Sequence, residues 1–243
     1  MRSALFSSEN LEKESTQPGM RLQNSKMLKI ELNGEAMARV GSMVAYQGHV
    51  QFQALGSGGL GKFLKQKLTG EGVPLMRVTG QGDVFLADLA SDVHLIDLEP
   101  GDALSINGAN VLAFDSSLSY DIKMVGGAGM ASSSGLFNCV FTGHGRIAVT
   151  TKGTPVVLSV DQPTYVDPQA AICWSANLQT GYHRAEQMGL GTLLGRSTGE
   201  RFTMSFAGQG FVVVQPSEEP PGGLAGAAQG QQQQGGILGN LMG

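Results

Sequence analysis

A nine-residue pattern around two glycines occurs three times and constrains the fold more than any other feature. In each copy an apolar stretch leads into Gly-x-Gly and a second apolar stretch follows; the copies are residues 78–86, 141–149 and 206–214. Gly80 and Gly143 are 63 residues apart, and Gly143 and Gly208 are 65 apart. Because a near-constant spacing of this kind is typical of repeat architectures, we predict three copies of one β-unit.

An apolar run that ends in an aromatic residue forms a second repeated element. The aromatic residues are Tyr46, Phe114 and Trp174, and they alternate with the first glycines at spacings of 29 to 34 residues. The series opens with an aromatic element and closes with a Gly-x-Gly element, so strands from both chain ends must complete one unit. We therefore expect a closed, pseudo-threefold all-β body without exposed sheet edges, with the aromatic triplet buried inside it.

The amino-acid composition supports an all-β fold and indicates the domain boundaries. Charged residues make up 15% of the chain, while 36 of its 243 residues are glycine, which suits short strands and tight turns better than helices. We predict an N-terminal segment at 1–24, a three-repeat β domain at 25–215 and a disordered tail at 216–243, where Gly and Gln replace apolar residues.

Turn signals punctuate the predicted strands. Asn33-Gly34, between Leu28, Ile30, Leu32 and the run 36–40, has the sequence of a two-residue hairpin turn. Asn107-Gly108 and Lys152-Gly153 repeat the device. Asp167-Pro168 takes a corresponding place in the third copy and must form a different turn, since proline cannot adopt positive φ.

Variable inserts precede the three Gly-x-Gly strands, at residues 54–72, 119–135 and 179–201. The first is predicted to contain a short amphipathic helix near 60–68. Two inserts are basic on a chain of net charge −4. Their cations form the candidate interaction surface, which we expect at one end of the body: Lys62, Lys65, Lys67, Arg184, Arg196 and Arg201.

Motifs for catalysis are missing from the sequence. Gly56 to Lys62 has P-loop spacing, but Phe63 stands where that motif needs a hydroxyl. The four histidines are scattered, and Cys139 and Cys173 are interpreted as buried structural residues. We therefore assign no catalytic residue, metal ligand or cofactor. Without a signal peptide or an apolar span, we expect a cytoplasmic protein with no transmembrane segment.

Several blocks resemble the altered inheritance of mitochondria protein twenty-four family of bacteria and fungi. They read GSMVAYQG, TGEGVPLMRVTGQGDVFLA, FTGHGRIAVTTKGTPVVLSV, YVDPQAAICWS and TMSFAGQGFVVVQPSE. The resemblance implies a fold related to the tryptophan RNA-binding attenuator protein, a shortened double-stranded β-helix present three times in one chain. It implies no enzymatic activity and no site residues, and mitochondrial members are linked to inner-membrane organisation.

Three classes of function stay open at this point. The first is a non-enzymatic binding or scaffold protein whose loop-bearing end contacts a protein or an anionic partner; peripheral membrane contact and homo-oligomerisation are compatible with it. The second is RNA binding by fold analogy, which the excess of 20 acidic over 16 basic residues disfavours. The third is an enzyme with a cupin-like site assembled inside the barrel.

Overall fold

The computed structural model describes residues 3–13, 17–55, 73–124, 137–184 and 202–217. Within these ranges the helical elements are single turns of 3-10 helix, and the rest of the regular structure is strand, so the all-β class is confirmed. The helix expected near 60–68 lies outside the described residues. The strands are β1 (Gly19–Asn24), β2 (Met27–Arg39), β3 (Met43–Ala54), β4 (Leu75–Leu86), β5 (Asp92–Leu98), β6 (Ala103–Asn107), β7 (Val111–Asp115), β8 (Ser119–Met124), β9 (Phe137–Thr142), β10 (Gly145–Thr151), β11 (Val156–Val160), β12 (Thr164–Val166), β13 (Ala171–Ser175), β14 (Gln179–Arg184), β15 (Phe202–Ala207) and β16 (Gly210–Val214).

These strands form three antiparallel sheets. The largest has the order β3-β4-β2-β7-β10-β5, with β1 added to β2. The second has the order β11-β16-β13-β6-β9-β8, and the third has the order β12-β15-β14. Strand β1 lies before residue 25, where the sequence analysis placed the start of the β domain, and it pairs with the first half of β2.

Strand pairing follows the same order in three stretches, which we call segment 1 (residues 27–86), segment 2 (92–151) and segment 3 (156–214). In segment 1 the third strand, β4, lies between β2 and β3. In segment 2 the third strand is split into β9 and β10; β9 lies between β6 and β8, and β10 lies between β5 and β7. Segment 3 repeats this with β15 between β12 and β14, and β16 between β11 and β13.

The aromatic triplet has one register in all segments. Tyr46 pairs with Val84, Phe114 with Ile147, and Trp174 with Val212. Each partner is the fourth residue after the first glycine of its Gly-x-Gly pattern. Each strand also carries a bulge two residues before its aromatic residue, so the extra residues are Val44, Leu112 and Ile172.

Segments 2 and 3 break at Gly-x-Gly, whereas segment 1 does not. The first glycines have similar backbone angles, with φ of 124° at Gly80, 109° at Gly143 and 122° at Gly208. At the two breaks, a side chain from the turn between β7 and β8, or between β13 and β14, bonds to a backbone carbonyl group that has no ladder partner there. Ser117 Oγ donates to the carbonyl of His144 (2.9 Å), and Asn177 Nδ2 donates to the carbonyl of Gln209 (3.1 Å).

Two short ladders join the segments, and we call them seams. At the first seam Met37 of segment 1 pairs with Phe114 of segment 2. At the second seam Ser105 of segment 2 pairs with Trp174 of segment 3. The first strand of a segment is β2, β5 with β6, or β11 with β12, and the second is β3, β7 with β8, or β13 with β14. Both seams are three residues long and join the end of a first strand to the start of the next segment's second strand.

Each seam also carries a side-chain bond. Arg39, just after the first seam's residues on β2, donates from Nε to the carbonyl of Val111 (2.8 Å). Asn107 has the same place at the second seam and donates from Nδ2 to the carbonyl of Ala171 (3.2 Å). Burial lowers the pKa of Arg39, and the carboxylate of Asp88 at 2.7 Å opposes that effect, so the guanidinium stays charged at neutral pH.

The core packs around the seam residues. Phe114 is fully buried, with its ring centroid 4.9 Å from that of Phe141 in an edge-to-face contact. Trp174 packs in the same way on Phe206 at 5.5 Å. Edge-to-face rings contribute beyond their buried area, so the aromatic residues of segments 2 and 3 hold the seam to the interior.

The prediction of hairpins at the Asn-Gly and Lys-Gly turns is wrong. Asn33 and Gly34 lie inside the unbroken strand β2, where they pair with Gln81 and Gly80 of β4. Pairing along the full length of β4 overrides the local turn preference. Asn107-Gly108 and Lys152-Gly153 do connect successive strands, but those strands pair with other partners and form no hairpin. Asp167-Pro168 turns the chain between β12 and β13, with the Asp167 carbonyl accepting from the amide of Ala170 (3.0 Å).

The described strands do not close the body. β3 ends the seven-stranded sheet and β12 ends the three-stranded sheet. The expected burial of the aromatic triplet holds for Phe114 and Trp174 and is wrong for Tyr46, which is 49% exposed. The start of β3 pairs with β4 on one edge only, and no described strand pairs with its other edge, where β7 and β13 have a seam partner.

Gly80 gives a test of this packing because Gly34, its partner in the ladder, shares its positive φ. A Cβ on Gly80 would lie 2.0 Å from the carbonyl oxygen of His49, whereas nothing lies within 4 Å of a Cβ on Gly34. Gly80→Ala should destabilise the protein by about 3 to 5 kcal/mol, from backbone strain and displacement of β3. Gly34→Ala should cost about 1 to 2 kcal/mol, from strain alone. Urea unfolding of both variants measures the difference, and equal losses would contradict the close approach of β3 to β4.

Candidate binding surfaces

A polar groove of about 560 Å³ lies on one face of segment 1. Successive residues of a strand point to opposite faces, so Lys29, Glu31 and Asn33 line this face while Leu28, Ile30 and Leu32 enter the core. Leu32 also borders the groove, and the remaining lining residues come from β3, β4 and the chain before β1: Glu12, Gln17, Pro18, Gln47, Gln81, Gly82 and Asp83.

Lys29 is the centre of a charge cluster in this groove. Its side chain is 3% exposed, and its Nζ lies 2.7 Å from Glu12 Oε1, 3.5 Å from Glu31 Oε1 and 3.5 Å from Asp83 Oδ2. Burial acts to lower the pKa of Lys29, but the hydrogen bond that Lys29 donates to Glu12 and the three negative charges outweigh it and raise the pKa. Lys29 is therefore fully charged at neutral pH.

The cluster ties the N-terminal chain to the sheet. Lys29 Nζ also donates to the carbonyl of Lys13 (2.9 Å). Nearby, Gln23 of β1 accepts from the amide of Lys13 (3.0 Å) and donates to the carbonyl of Leu11 (2.9 Å). Arg21 on the same strand lies 3.2 Å from Glu31. Through these bonds, the groove is a structural contact between the N-terminal chain and the sheet.

A second surface is the first part of β3, residues 43–46, which we call the open edge. Met43, Val44 and Tyr46 are 40%, 55% and 49% exposed. The residues at the same positions of segments 2 and 3 are at most 3% exposed: Val111, Leu112, Phe114, Ala171, Ile172 and Trp174. The Tyr46 ring contacts Phe52 edge-to-face at 5.3 Å, so one side of the ring is packed and the other faces solvent.

The two cysteines are poor candidates for reactive groups. Cys139 and Cys173 are buried free thiols that flank Ile106 in one row of the sheet. Burial raises the pKa of each thiol to about 12, so neither forms a thiolate nucleophile at neutral pH. Within the described ranges, no group of three or more His, Cys, Asp or Glu side chains is placed to hold a metal ion.

Most of the predicted interaction surface lies outside the described residues: Lys62, Lys65, Lys67, Arg196 and Arg201. Arg184 is the last residue of β14, where its backbone pairs with Phe202. The first insert joins β3 to β4. The predicted second and third inserts, 119–135 and 179–201, are wrong at their starts, because they begin with the strands β8 and β14; the residues after these strands lead to β9 and β15. All three inserts thus connect a second strand to a third strand.

Comparison with known proteins fits this fold. The structure is similar to the crystal structure of protein SPYM3_0169 from Streptococcus pyogenes, with a TM-score of 0.64 and 21% sequence identity. The match covers 83% of this chain and 94% of that chain. At this identity the likeness shows the fold alone. Among curated proteins, no sequence matches the chain.

A family model described as mitochondrial biogenesis AIM24 matches residues 20–217. The chain belongs to the AIM24 family. This confirms the family resemblance drawn from the sequence blocks, and the matched range takes in every strand except the first residue of β1. In the part of this AIM24 chain that the structure describes, no helix has the length and apolar character needed to span a bilayer.

The sequence analysis missed both surfaces. For the Lys29 cluster, the alternation of Lys29 and Glu31 with apolar residues placed two charges on one strand face. However, Glu12 and Asp83 reach the cluster from distant parts of the chain. For the open edge, the signal that could have found it was the uneven ends of the repeat series, which we interpreted as closure.

Lys29 can be tested against Lys26, which lies in the turn between β1 and β2. Lys29→Met removes the cation between three carboxylates and should destabilise the protein by about 3 kcal/mol, the low end for uncompensated buried charge because those carboxylates are partly exposed. Lys26 pairs with Asp92 at 2.7 Å on the surface, so Lys26→Met should leave stability almost unchanged. Thermal and urea unfolding at neutral pH compare the two. Equal effects would show that the cluster does not anchor the N-terminal chain.

Proposed function

We propose that this AIM24 protein is a non-enzymatic binding or scaffold protein that contacts partners through the open edge. The observation that carries the proposal is the exposure of Met43, Val44 and Tyr46 at positions that are buried in segments 2 and 3. Burying one large apolar side chain contributes about 1.5 to 3 kcal/mol. A partner that covers these three gains a substantial part of a binding free energy.

The open edge also lacks the usual protection of an edge strand. Sheet edges are commonly guarded by charged residues or proline, because their unpaired backbone groups add strands from other chains. Residues 43–46 read Met-Val-Ala-Tyr and contain neither. Binding by strand addition combines backbone hydrogen bonds with side-chain burial, and this stretch offers both.

The architecture belongs to the same proposal. The shared pairing order, the common register of the aromatic triplet and the common bulge support three copies of one unit with pseudo-threefold symmetry, on a fold of the attenuator-protein type. Such a body is a rigid frame for surfaces and loops. Free, buried cysteines are those of a protein in a reducing compartment, which supports a place in the cytoplasm.

The open edge is tested by placing one charge in it. Val44→Lys should abolish capture of partner proteins from native cytosol on the immobilised chain, because a lysine at a sheet edge blocks strand addition. Val157→Lys is the matched control, since Val157 is 65% exposed on β11, the end strand of another sheet. Equal capture by the wild-type and Val44→Lys chains, with both folded by thermal unfolding, would rule out the open edge as the contact.

The basic inserts are a second proposed contact for anionic partners. Two of three inserts are basic on a chain of net charge −4, and a local positive field steers anionic partners by long-range attraction. Reversing the charge at Lys62, Lys65 and Lys67 together should weaken capture at low salt more than at physiological salt. An unchanged partner set with unchanged salt dependence would remove this surface from the proposal.

A further inference from the structure

The open edge has the place in segment 1 that forms half of a seam in segments 2 and 3. At each formed seam, the end of a first strand pairs with the start of the next segment's second strand. The second strands of segments 2 and 3 and the first strands of segments 1 and 2 are used in this way. Among the described strands, no ladder joins the second strand of segment 1 to the first strand of segment 3, which ends in β12.

The register of the unused seam follows from the two formed seams. Ala36 pairs with Val78, Leu104 with Phe141, and Thr164 with Phe206, each two residues before the first glycine. Thr164 therefore has the position of Ala36 and Leu104. Their seam partners are the residues just after the aromatic one, Asp115 and Ser175.

The corresponding residue of segment 1 is Gln47, just after Tyr46. The unused seam would therefore pair Thr164 with Gln47, Tyr165 with Tyr46, and Val166 with Ala45. All six residues are uncharged, so no repulsion opposes the pairing. Tyr46 and Tyr165 would be directly opposite, and aromatic cross-strand pairs are among the favourable ones.

Within one chain the two halves are held in different sheets. β4 runs unbroken through Gly80 and Gly82 and keeps the start of β3 in the seven-stranded sheet, whereas β12 ends the three-stranded sheet. In segments 2 and 3 the third strand is broken at Gly-x-Gly. The start of the second strand, β7 or β13, therefore lies in a different sheet from its end, β8 or β14, and it pairs at the seam. Segment 1 has no such break, and among the described strands β12 of the same chain does not pair with the open edge, which leaves that edge for a second copy.

We propose that β12 of one copy adds to the open edge of a second copy, in the register that pairs Thr164 with Gln47, and so forms the third seam between chains. This rests on the proposed function and names a second copy of this chain as its partner. The contact is head-to-tail, which gives a closed dimer if it is made reciprocally and longer assemblies otherwise.

One bond distinguishes this seam from the other two. Arg39 and Asn107 donate side-chain hydrogen bonds at the formed seams, and the residue at their position in segment 3 is Asp167. A carboxylate only accepts, and Asp167 Oδ1 accepts from the amide of Gln169 (2.7 Å) within its own turn. The third seam therefore lacks a bond that the permanent seams have, and we expect it to be reversible and concentration-dependent.

Engineered cysteines test the register and the identity of the partner. Chains carrying Gln47→Cys alone and Thr164→Cys alone are mixed and oxidised gently. Directly opposed residues of antiparallel strands are close enough for a disulfide, so a covalent dimer of the two different chains should form. The native thiols do not compete, because both are buried. Gln51→Cys replaces Gln47→Cys in the control, since Gln51 is exposed on the same face of β3 beyond the seam, and the control mixture should lose the dimer.

Sedimentation analysis of the wild-type chain gives an independent measurement of its mass in solution. The wild-type mass should rise with concentration above the 25.4 kDa of one chain, and Val44→Lys should stay at the mass of one chain.

The inference is overturned if a bridge forms only in the Gln47→Cys, Thr164→Cys double variant and within one chain, because the third seam is then closed internally. It is also overturned if neither experiment shows dimers while Val44→Lys still loses captured proteins; the proposed function then stands with a different protein as partner.

Discussion

The third strand of each segment pairs along both of its edges and holds the segment together. The rest of the structure depends on whether that strand continues through its Gly-x-Gly pattern or breaks there. In segment 1, glycine lets β4 approach β3 so closely that a Cβ on Gly80 would overlap the carbonyl oxygen of His49. In segments 2 and 3 the strand breaks instead, and Ser117 and Asn177 hydrogen-bond the carbonyl groups that the break exposes. The broken strands divide their segments between two sheets, which brings the seam halves together. The unbroken strand keeps segment 1 in one sheet and leaves its seam half unmatched.

Burial at the aromatic element is accordingly set by the neighbour and not by the residues themselves. Val44, Leu112 and Ile172 are the extra residues of three equivalent bulges and are all β-branched or aliphatic. Two are fully buried and one is 55% exposed. Since their local pairing is the same, the difference comes from packing against the preceding segment. Leu112 lies in a core cluster with residues of segment 1, and Ile172 lies in one with residues of segment 2. In the described part of the chain, Val44 belongs to none of the core clusters.

The sequence predicted those features that depend on local chemistry repeated at a fixed spacing. The strand class was available because short apolar runs and frequent glycines act locally. The common register of Tyr46, Phe114 and Trp174 on the Gly-x-Gly strands is what three copies of one unit would give. The Asn33-Gly34 hairpin failed because a local turn preference competes with twelve ladder pairs that β4 makes with β2. The exposure of Tyr46 and the cluster around Lys29 could not be predicted, since both depend on chain segments that are far apart in sequence.

The two surfaces of segment 1 differ in what already contacts them, and our proposal rests on this difference. At the groove, Lys29 lies among three carboxylates, and Glu12 and the carbonyl of Lys13 from the N-terminal chain already contact it. At the open edge, three apolar side chains are exposed whose counterparts in segments 2 and 3 are buried, so covering them with an added strand is favourable. The same asymmetry explains why that strand need not be permanent: Asp167 withholds the hydrogen bond that Arg39 and Asn107 give to the fixed seams. A body with two permanent seams and one reversible seam is suited to assembly that responds to concentration.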